Sequence, residues 1–65
     1  MIKVNGKSAE EAEGSILADF LEVEGYSMTR IAVECNGEII PKAAYGERIL
    51  KDGDCLEVVN FVGGG

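Results

Sequence analysis

Three glycines, Gly63-Gly64-Gly65, close the 65-residue chain directly after Val59-Asn60-Phe61-Val62. Glycine loses the most conformational freedom on ordering and adds no packing, so a stability argument does not place three in a row. The bland reading is a frayed chain end. The chemical reading is an arm that presents its own carboxylate. Val62 to Gly65 can reach roughly 13 Å when extended. Lacking side chains, such an arm can enter a narrow channel in a partner. A free carboxylate is a poor electrophile. Transfer of an adenylyl group from ATP, in a partner enzyme's site, would make it an acyl-adenylate open to sulfur or another nucleophile. No group on this chain does that activation. The chain supplies the Gly65 carboxylate and a docking face.

The remaining reactive residues argue against an enzyme in its own right. There is no His, which removes the usual proton shuttle. No nucleophile–base pair and no phosphate-binding loop is evident, since the terminal glycines precede no helix. Cys35 and Cys55 are the only cysteines, too few for a disulfide scaffold or a zinc site. They read as free thiols in a cytoplasmic protein. Cys55 could act as a nucleophile or resolve a thiocarboxylate as an acyl disulfide. With no cationic neighbour to lower its pKa, an unreactive surface thiol is the preferred reading. Glu10, Glu11 and Glu13 read as a solvated edge and loop rather than a metal site, and Asp52 and Asp54 as turn formers.

Composition narrows the classes further. Twelve acidic residues against six basic ones give a net charge of −6, the wrong sign for a nucleic-acid binder. That charge can steer the chain toward basic partner surfaces or serve solubility alone. No apolar run approaches the ~20 residues that span a bilayer, and no signal peptide is visible. No stably bound cofactor or metal is expected.

The elements that must position the arm follow from local pattern. Met1 to Val4 reads as a strand, Asn5-Gly6 as a type I′ hairpin turn, and Lys7 to Ala12 as a polar returning edge strand. Ser15 is placed to cap a helix. In that helix Leu17, Phe20, Leu21 and Glu24 recur at helical spacing over about ten residues, and Gly25 ends it. Ile31, Val33 and Cys35 alternate with Ala32 and Glu34 in a half-buried strand. Asn36-Gly37 is a second hairpin turn, and Glu38 to Ile40 a short strand stopped by Pro41. Lys42 to Arg48 reads as a turn or short helical segment, with Ile49 and Leu50 as apolar plugs beneath it. Tyr45 is expected to pack against the sheet with its hydroxyl at the surface. Lys51-Asp52-Gly53-Asp54 is a tight turn. Cys55 to Val62 is the longest strand, with Leu56, Val58, Asn60 and Val62 on one face and Cys55, Glu57, Val59 and Phe61 on the other.

This order predicts an α+β fold of the ubiquitin-like β-grasp type: a mixed sheet of four to five strands, one face covered by the helix, the last strand beside the first in the middle. Residues 1–62 form the domain and 63–65 a flexible glycine tail. Helix coverage of the Leu56 face leaves Val59 and Phe61 pointing outward. That apolar pair leads into the tail and is read as a docking patch with Val62, Gly63 and Gly64.

The ordered set Asn36-Gly37-Glu38-Ile39-Ile40-Pro41, Tyr45, Lys51-Asp52-Gly53-Asp54, Leu56 to Val59 and the terminal Gly64-Gly65 resembles the ThiS family of sulfur carrier proteins of thiamin biosynthesis. The likeness spans essentially the whole chain. It implies a β-grasp fold and adenylation of Gly65 by an E1-like adenylyltransferase using ATP and magnesium. It further implies sulfur delivery from a cysteine desulfurase system or related donor, and a thiocarboxylate that thiazole synthase consumes. Gly64 would lie in the partner channel, and Gly63 is an addition to the minimal glycine pair. The small subunit of molybdopterin synthase is the nearest rival. It is usually longer and often carries a proline before its glycines, whereas Val59 to Val62 contains none. A noncatalytic ubiquitin-like interaction module and a lysine-linked protein modifier remain as further alternatives.

Overall fold

The computed structural model describes residues 1–61; Val62, Gly63, Gly64 and Gly65, with the expectations attached to them, lie outside the described residues. Two turns set the frame. Asn5 and Gly6 take φ of 51° and 82°, and Asn36 and Gly37 take 54° and 86°. Positive φ at both central positions is the backbone that type I′ hairpins need, and Asn-Gly is the pair that adopts it most readily. These turns join β1 (Lys3–Val4) to β2 (Lys7–Ser8), and β3 (Ile31–Cys35) to β4 (Glu38–Ile40).

The final strand, β5 (Cys55–Asn60), lies between the two hairpins. The sheet order is β2-β1-β5-β3-β4. β5 runs parallel to β1, with Lys3 opposite Cys55 and Val4 opposite Leu56. It runs antiparallel to β3, from Ile31 opposite Asn60 to Cys35 opposite Leu56. The expected β-grasp arrangement is therefore present, with the chain's last strand at the centre of a five-stranded mixed sheet.

One helix, α1 (Leu17–Val23), supplies Leu17, Phe20 and Leu21 to the core. Seven residues cannot sustain a helix in water, so burial of that stripe against the sheet holds it. Each such side chain contributes about 1.5–3 kcal/mol on burial. Across from it lie the inward residues Ile31, Val33 and Cys35 of β3 and Leu56 and Val58 of β5, all buried. The helix ends as expected at Gly25, in a Schellman motif. Tyr26 N–H bonds the Leu21 carbonyl and Gly25 N–H the Glu22 carbonyl, both at 3.0 Å. Gly25, at φ 87°, is the left-handed residue such an ending uses.

Four local expectations are corrected. Ser15 does not cap the helix: the N-cap is Ile16, with no side-chain cap bond. The orphan donors of the first turn find distant carbonyls instead, Leu17 N–H on Arg48 at 2.7 Å and Ala18 N–H on Tyr45 at 2.9 Å. The second strand stops at Ser8 rather than Ala12, because Glu10–Ala12 winds into a 3₁₀ turn. Ala9 and Ala12 are both buried, and their spacing of three fits that turn and not the two-residue period of a strand. Ile49 is not a plug: Leu50 is fully buried while Ile49 is exposed, as alternation along an extended chain requires. Glu24 and Asn60, placed with inward residues by periodicity, are exposed. Glu24 is the helix C-cap, and Asn60 sits at the sheet's rim.

Apart from Ile49, the backbone of the connection between the β3–β4 hairpin and β5 follows the expected turns. Lys42–Ala44 forms a short 3₁₀ turn, and Tyr45 is buried behind it. Asp54 N–H returns to the Lys51 carbonyl at 3.0 Å, with Gly53 at φ 96°, closing the tight turn before β5. No helix among the described residues is long and apolar enough to cross a membrane.

Candidate functional site

The arm expected to carry the chemistry continues from β5, so the site is built from whatever fixes the end of that strand. β1 is only two residues long, and its ladder ends early. Asn5 N–H still bonds the Leu56 carbonyl at 2.9 Å. Beyond that the Asn5 side chain takes over. Its Oδ1 accepts from Val58 N–H at 2.7 Å, and its Nδ2 donates to the Val58 carbonyl at 3.3 Å. A side-chain amide thus stands in for the next peptide of the missing strand. On the other flank, Phe61 N–H donates to the Arg30 carbonyl at 2.7 Å. The strand is tied on the β1 side as far as Val58 and on the β3 side as far as Phe61, the last described residue.

The start of β5 is held by the second Asn-Gly turn. Asn36 N–H bonds the Cys55 carbonyl at 2.9 Å. The Asn36 Oδ1 accepts from Cys55 N–H at 2.9 Å, while its Nδ2 donates to Asp54 Oδ1 at 3.0 Å. The other oxygen of Asp54 accepts from Lys51 N–H at 3.0 Å. Burial pushes the Asp54 carboxyl up, but the bonds from Lys51 and Asn36 and the charge of Arg48 outweigh it and hold its pKa below the ordinary value. Asp54 is the turn former expected, and Asp52 stays exposed beside the Met1 amino group, with which it forms an ion pair.

The outward face of the sheet carries the expected docking residues. Val59 and Phe61 are 56% and 54% exposed. The ladder pairs Val59 with Ala32 and Glu57 with Glu34, and Glu34 in turn with Ile39 of β4. Ile39 is 72% exposed. Alternation puts Ala32, Glu34, Ile39, Glu57 and Val59 on the side away from α1. The result is an exposed apolar surface interrupted by two carboxylates, running up to the point where the chain leaves the sheet. Sequence reading found Val59 and Phe61, with Glu57 on the same face, but missed Ala32, Glu34 and Ile39 as their neighbours. The alternation of β3 marked Ala32 and Glu34 as outward; only the pairing register brings them beside β5.

The two thiols lie on opposite faces, as the alternation required. Both are free; Cys35 is buried and Cys55 exposed. Burial and the nearby Asp54 charge push the Cys35 thiol up, against the pull of Arg48. Arg48 Nη2 lies 3.1 Å from Cys35 Sγ, a contact that sequence reading missed. Both residues sit beneath the sheet, away from the arm's departure point. Glu10, Glu11 and Glu13 are solvent-exposed. Among the described residues no group of three or more His, Cys, Asp or Glu side chains is arranged to hold a metal ion.

The ThiS family model matches residues 2–65. The chain is 38% identical over 66 residues to the sulfur carrier protein ThiS of Bacillus subtilis, covering 100% of both. It is 37% identical over 62 residues to a thiazole synthase of Paramagnetospirillum magneticum, covering 95% of this chain and 19% of that protein. The chain thus spans about a fifth of the length of the thiazole synthases it matches. In structure it is similar to the thiamine biosynthesis protein ThiS from Geobacter metallireducens. The TM-score is 0.76 at 33% identity, covering 98% of this chain and 97% of that one.

Proposed function

The chain belongs to the ThiS family, and from that premise we propose that it is a sulfur carrier of thiamin biosynthesis whose Gly65 carboxylate is the working group. The observation that carries this reading is the anchoring of β5. A central strand clamped by Asn5 on one side and Arg30 on the other delivers the terminal residues from a fixed point beside exposed Val59 and Phe61. A partner that grips this face gains a defined position for the arm. That is the proximity a carboxylate needs to react in another protein's site.

The chemistry proceeds in a partner. An E1-like adenylyltransferase, with ATP and magnesium, joins the Gly65 carboxylate to the adenylyl group and releases pyrophosphate. The terminal sulfur of a donor persulfide, as a cysteine desulfurase supplies, attacks the acyl carbon, and AMP leaves. A thiol then cleaves the acyl disulfide, is itself oxidised to a disulfide, and leaves a thiocarboxylate on Gly65. Thiazole synthase accepts that sulfur. Likeness to thiazole synthases that contain a segment similar to this chain supports the last pairing. The chain is a protein cosubstrate rather than a catalyst, with Gly63, Gly64 and Val62 in the partner's channel. A cytoplasmic setting fits two cysteines that stay free.

The test is the mass of the C-terminal peptide after incubation with an E1-like adenylyltransferase, ATP, magnesium and a sulfur source. Replacement of oxygen by sulfur resembles methionine oxidation in mass. The terminal thiocarboxylate is therefore trapped with a thiol-alkylating reagent, with Cys35 and Cys55 scored separately. Alkylated sulfur on Gly65 is the expected result. Absence of activation across several such enzymes would replace this reading with that of an inert-tailed interaction module.

A further inference from the structure

Both Asn-Gly turns hold β5 through their asparagine side chains, and the two sites differ in what faces the amide nitrogen. Asn5 Nδ2 donates to the Val58 carbonyl at 3.3 Å. Asn36 Nδ2 donates to Asp54 Oδ1 at 3.0 Å, and Asn36 Oδ1 accepts from Cys55 N–H at 2.9 Å. Asparagine is a thermolabile residue. A following glycine exposes it most, because no side chain shields the next backbone nitrogen. At Asn36 the attacking atom is the Gly37 nitrogen. It bonds to the Asn36 Cγ, the Cγ–Nδ2 bond breaks, and ammonia leaves a five-membered succinimide. Water then opens either carbonyl of that ring, giving aspartate or isoaspartate. The attack requires the side chain to turn back on its own backbone. In the folded chain the amide is aimed instead at residues 18 and 19 positions away, so both bonds must break first.

We propose that Asn36 is a deamidation site which the fold holds shut, and that its conversion unpins the start of β5 irreversibly. The parent contact is an amide N–H donating to a carboxylate. The aspartyl product puts a second carboxylate oxygen where that donor stood. Asp54 is 5% exposed, and its other oxygen is committed to Lys51 N–H. It cannot swing into water without giving up the turn before β5. Three cations stand in this region. Arg48 and Lys51 lend their charge to Asp54, and Lys3 is exposed on β1 opposite Cys55. Among the described residues none of the three forms an ion pair with Asp54, so they soften the repulsion without cancelling it. The isoaspartyl product adds a main-chain atom to the two-residue turn and disturbs the pairing of Cys35 with Glu38. Asn5 is the milder site. An aspartate there keeps an acceptor for Val58 N–H and sets its other oxygen against a neutral carbonyl.

The full chain is aged at mildly alkaline pH with and without urea, and conversion at each asparagine is read by peptide mass analysis. In urea Asn5 and Asn36 should convert together and well ahead of Asn60, which the bulky Phe61 follows. In the native protein Asn36 should convert more slowly by about tenfold or more, since opening of the turn must come first. Equal rates at Asn36 with and without urea would overturn the protection. The consequence is read from urea midpoints of Asn36→Asp, Asn5→Asp, and Asn36→Asp combined with Asp54→Asn. Asn36→Asp should lower the midpoint more than Asn5→Asp does. Adding Asp54→Asn should recover part of that loss, because amide and carboxylate have then exchanged places and a donor again lies between them. A combined variant no more stable than Asn36→Asp alone, or Asn36→Asp with the parent's midpoint, would overturn the unpinning.

Discussion

The Asn5 side chain bonds both backbone groups of Val58, a residue 53 positions away, accepting its N–H at 2.7 Å and donating to its carbonyl at 3.3 Å. A turn residue chosen for its left-handed backbone thus also completes the ladder of the central strand where β1 has run out. The two roles separate experimentally, because glycine keeps the first and loses the second.

Asn5→Gly preserves the positive φ but leaves the Val58 N–H and carbonyl without their partner. Loss of about 1–2 kcal/mol is expected from such part-buried backbone groups. Urea unfolding should show a lower midpoint with an unchanged slope. The Val58 amide should exchange faster with solvent than in the parent. A variant as stable as the parent, with Val58 still protected, would show that the amide bridge contributes nothing.

Asp54 makes stability depend on acid. Its folded pKa lies below the ordinary value of 3.8 that the unfolded chain has. The folded state therefore binds this proton less readily, and stability rises with pH across the window between the two values. The contribution is complete above about 3.8 and is lost as pH falls through the lower folded value. Asp54→Asn removes that titration. Its deficit against the parent, read from denaturant midpoints in a pH series, should be constant near neutrality and shrink in acid. A deficit that stays the same throughout would assign the effect of the substitution to packing alone.

The two cysteines should differ sharply in reactivity. Cys55 is exposed, whereas Cys35 is buried with its thiol pKa raised; nucleophilic attack on an alkylating reagent needs an accessible thiolate. Iodoacetamide under native conditions should therefore modify Cys55 and leave Cys35 untouched until the chain is unfolded. Peptide mass analysis checks this. Equal labelling of both in the native protein would contradict the buried placement of β3's inward face.

Much of the fold was legible because its signals are local. Asn5-Gly6, Asn36-Gly37 and the Lys51–Asp54 turn each carry their conformation in two to four residues. The alternation of Ile31, Val33 and Cys35, and of Leu56 and Val58, named buried side chains correctly. The same reasoning failed where a local signal was overruled from afar. Ser15 is a good capping residue by type, yet carbonyls of Tyr45 and Arg48 reach the helix start. Lys7 to Ala12 looks like an edge strand, yet the core takes Ala9 and Ala12 through a 3₁₀ turn.

The sequence by itself determined the Asn-Gly and Asp-Gly turns and the inward residues of β3 and of β5 as far as Val58, because backbone preference and side-chain alternation are properties of neighbouring residues. Tertiary structure alone decided which outward residues meet. Glu34 opposite Glu57, Ala32 opposite Val59 and Arg30 beside Phe61 depend on the register of two strands separated in sequence by β4, a 3₁₀ turn and a loop. A slip of one residue in that pairing would send every side chain of a strand to the other face. Register is fixed by the whole core closing at once, and so the shape of the outward sheet surface is a property of the folded chain.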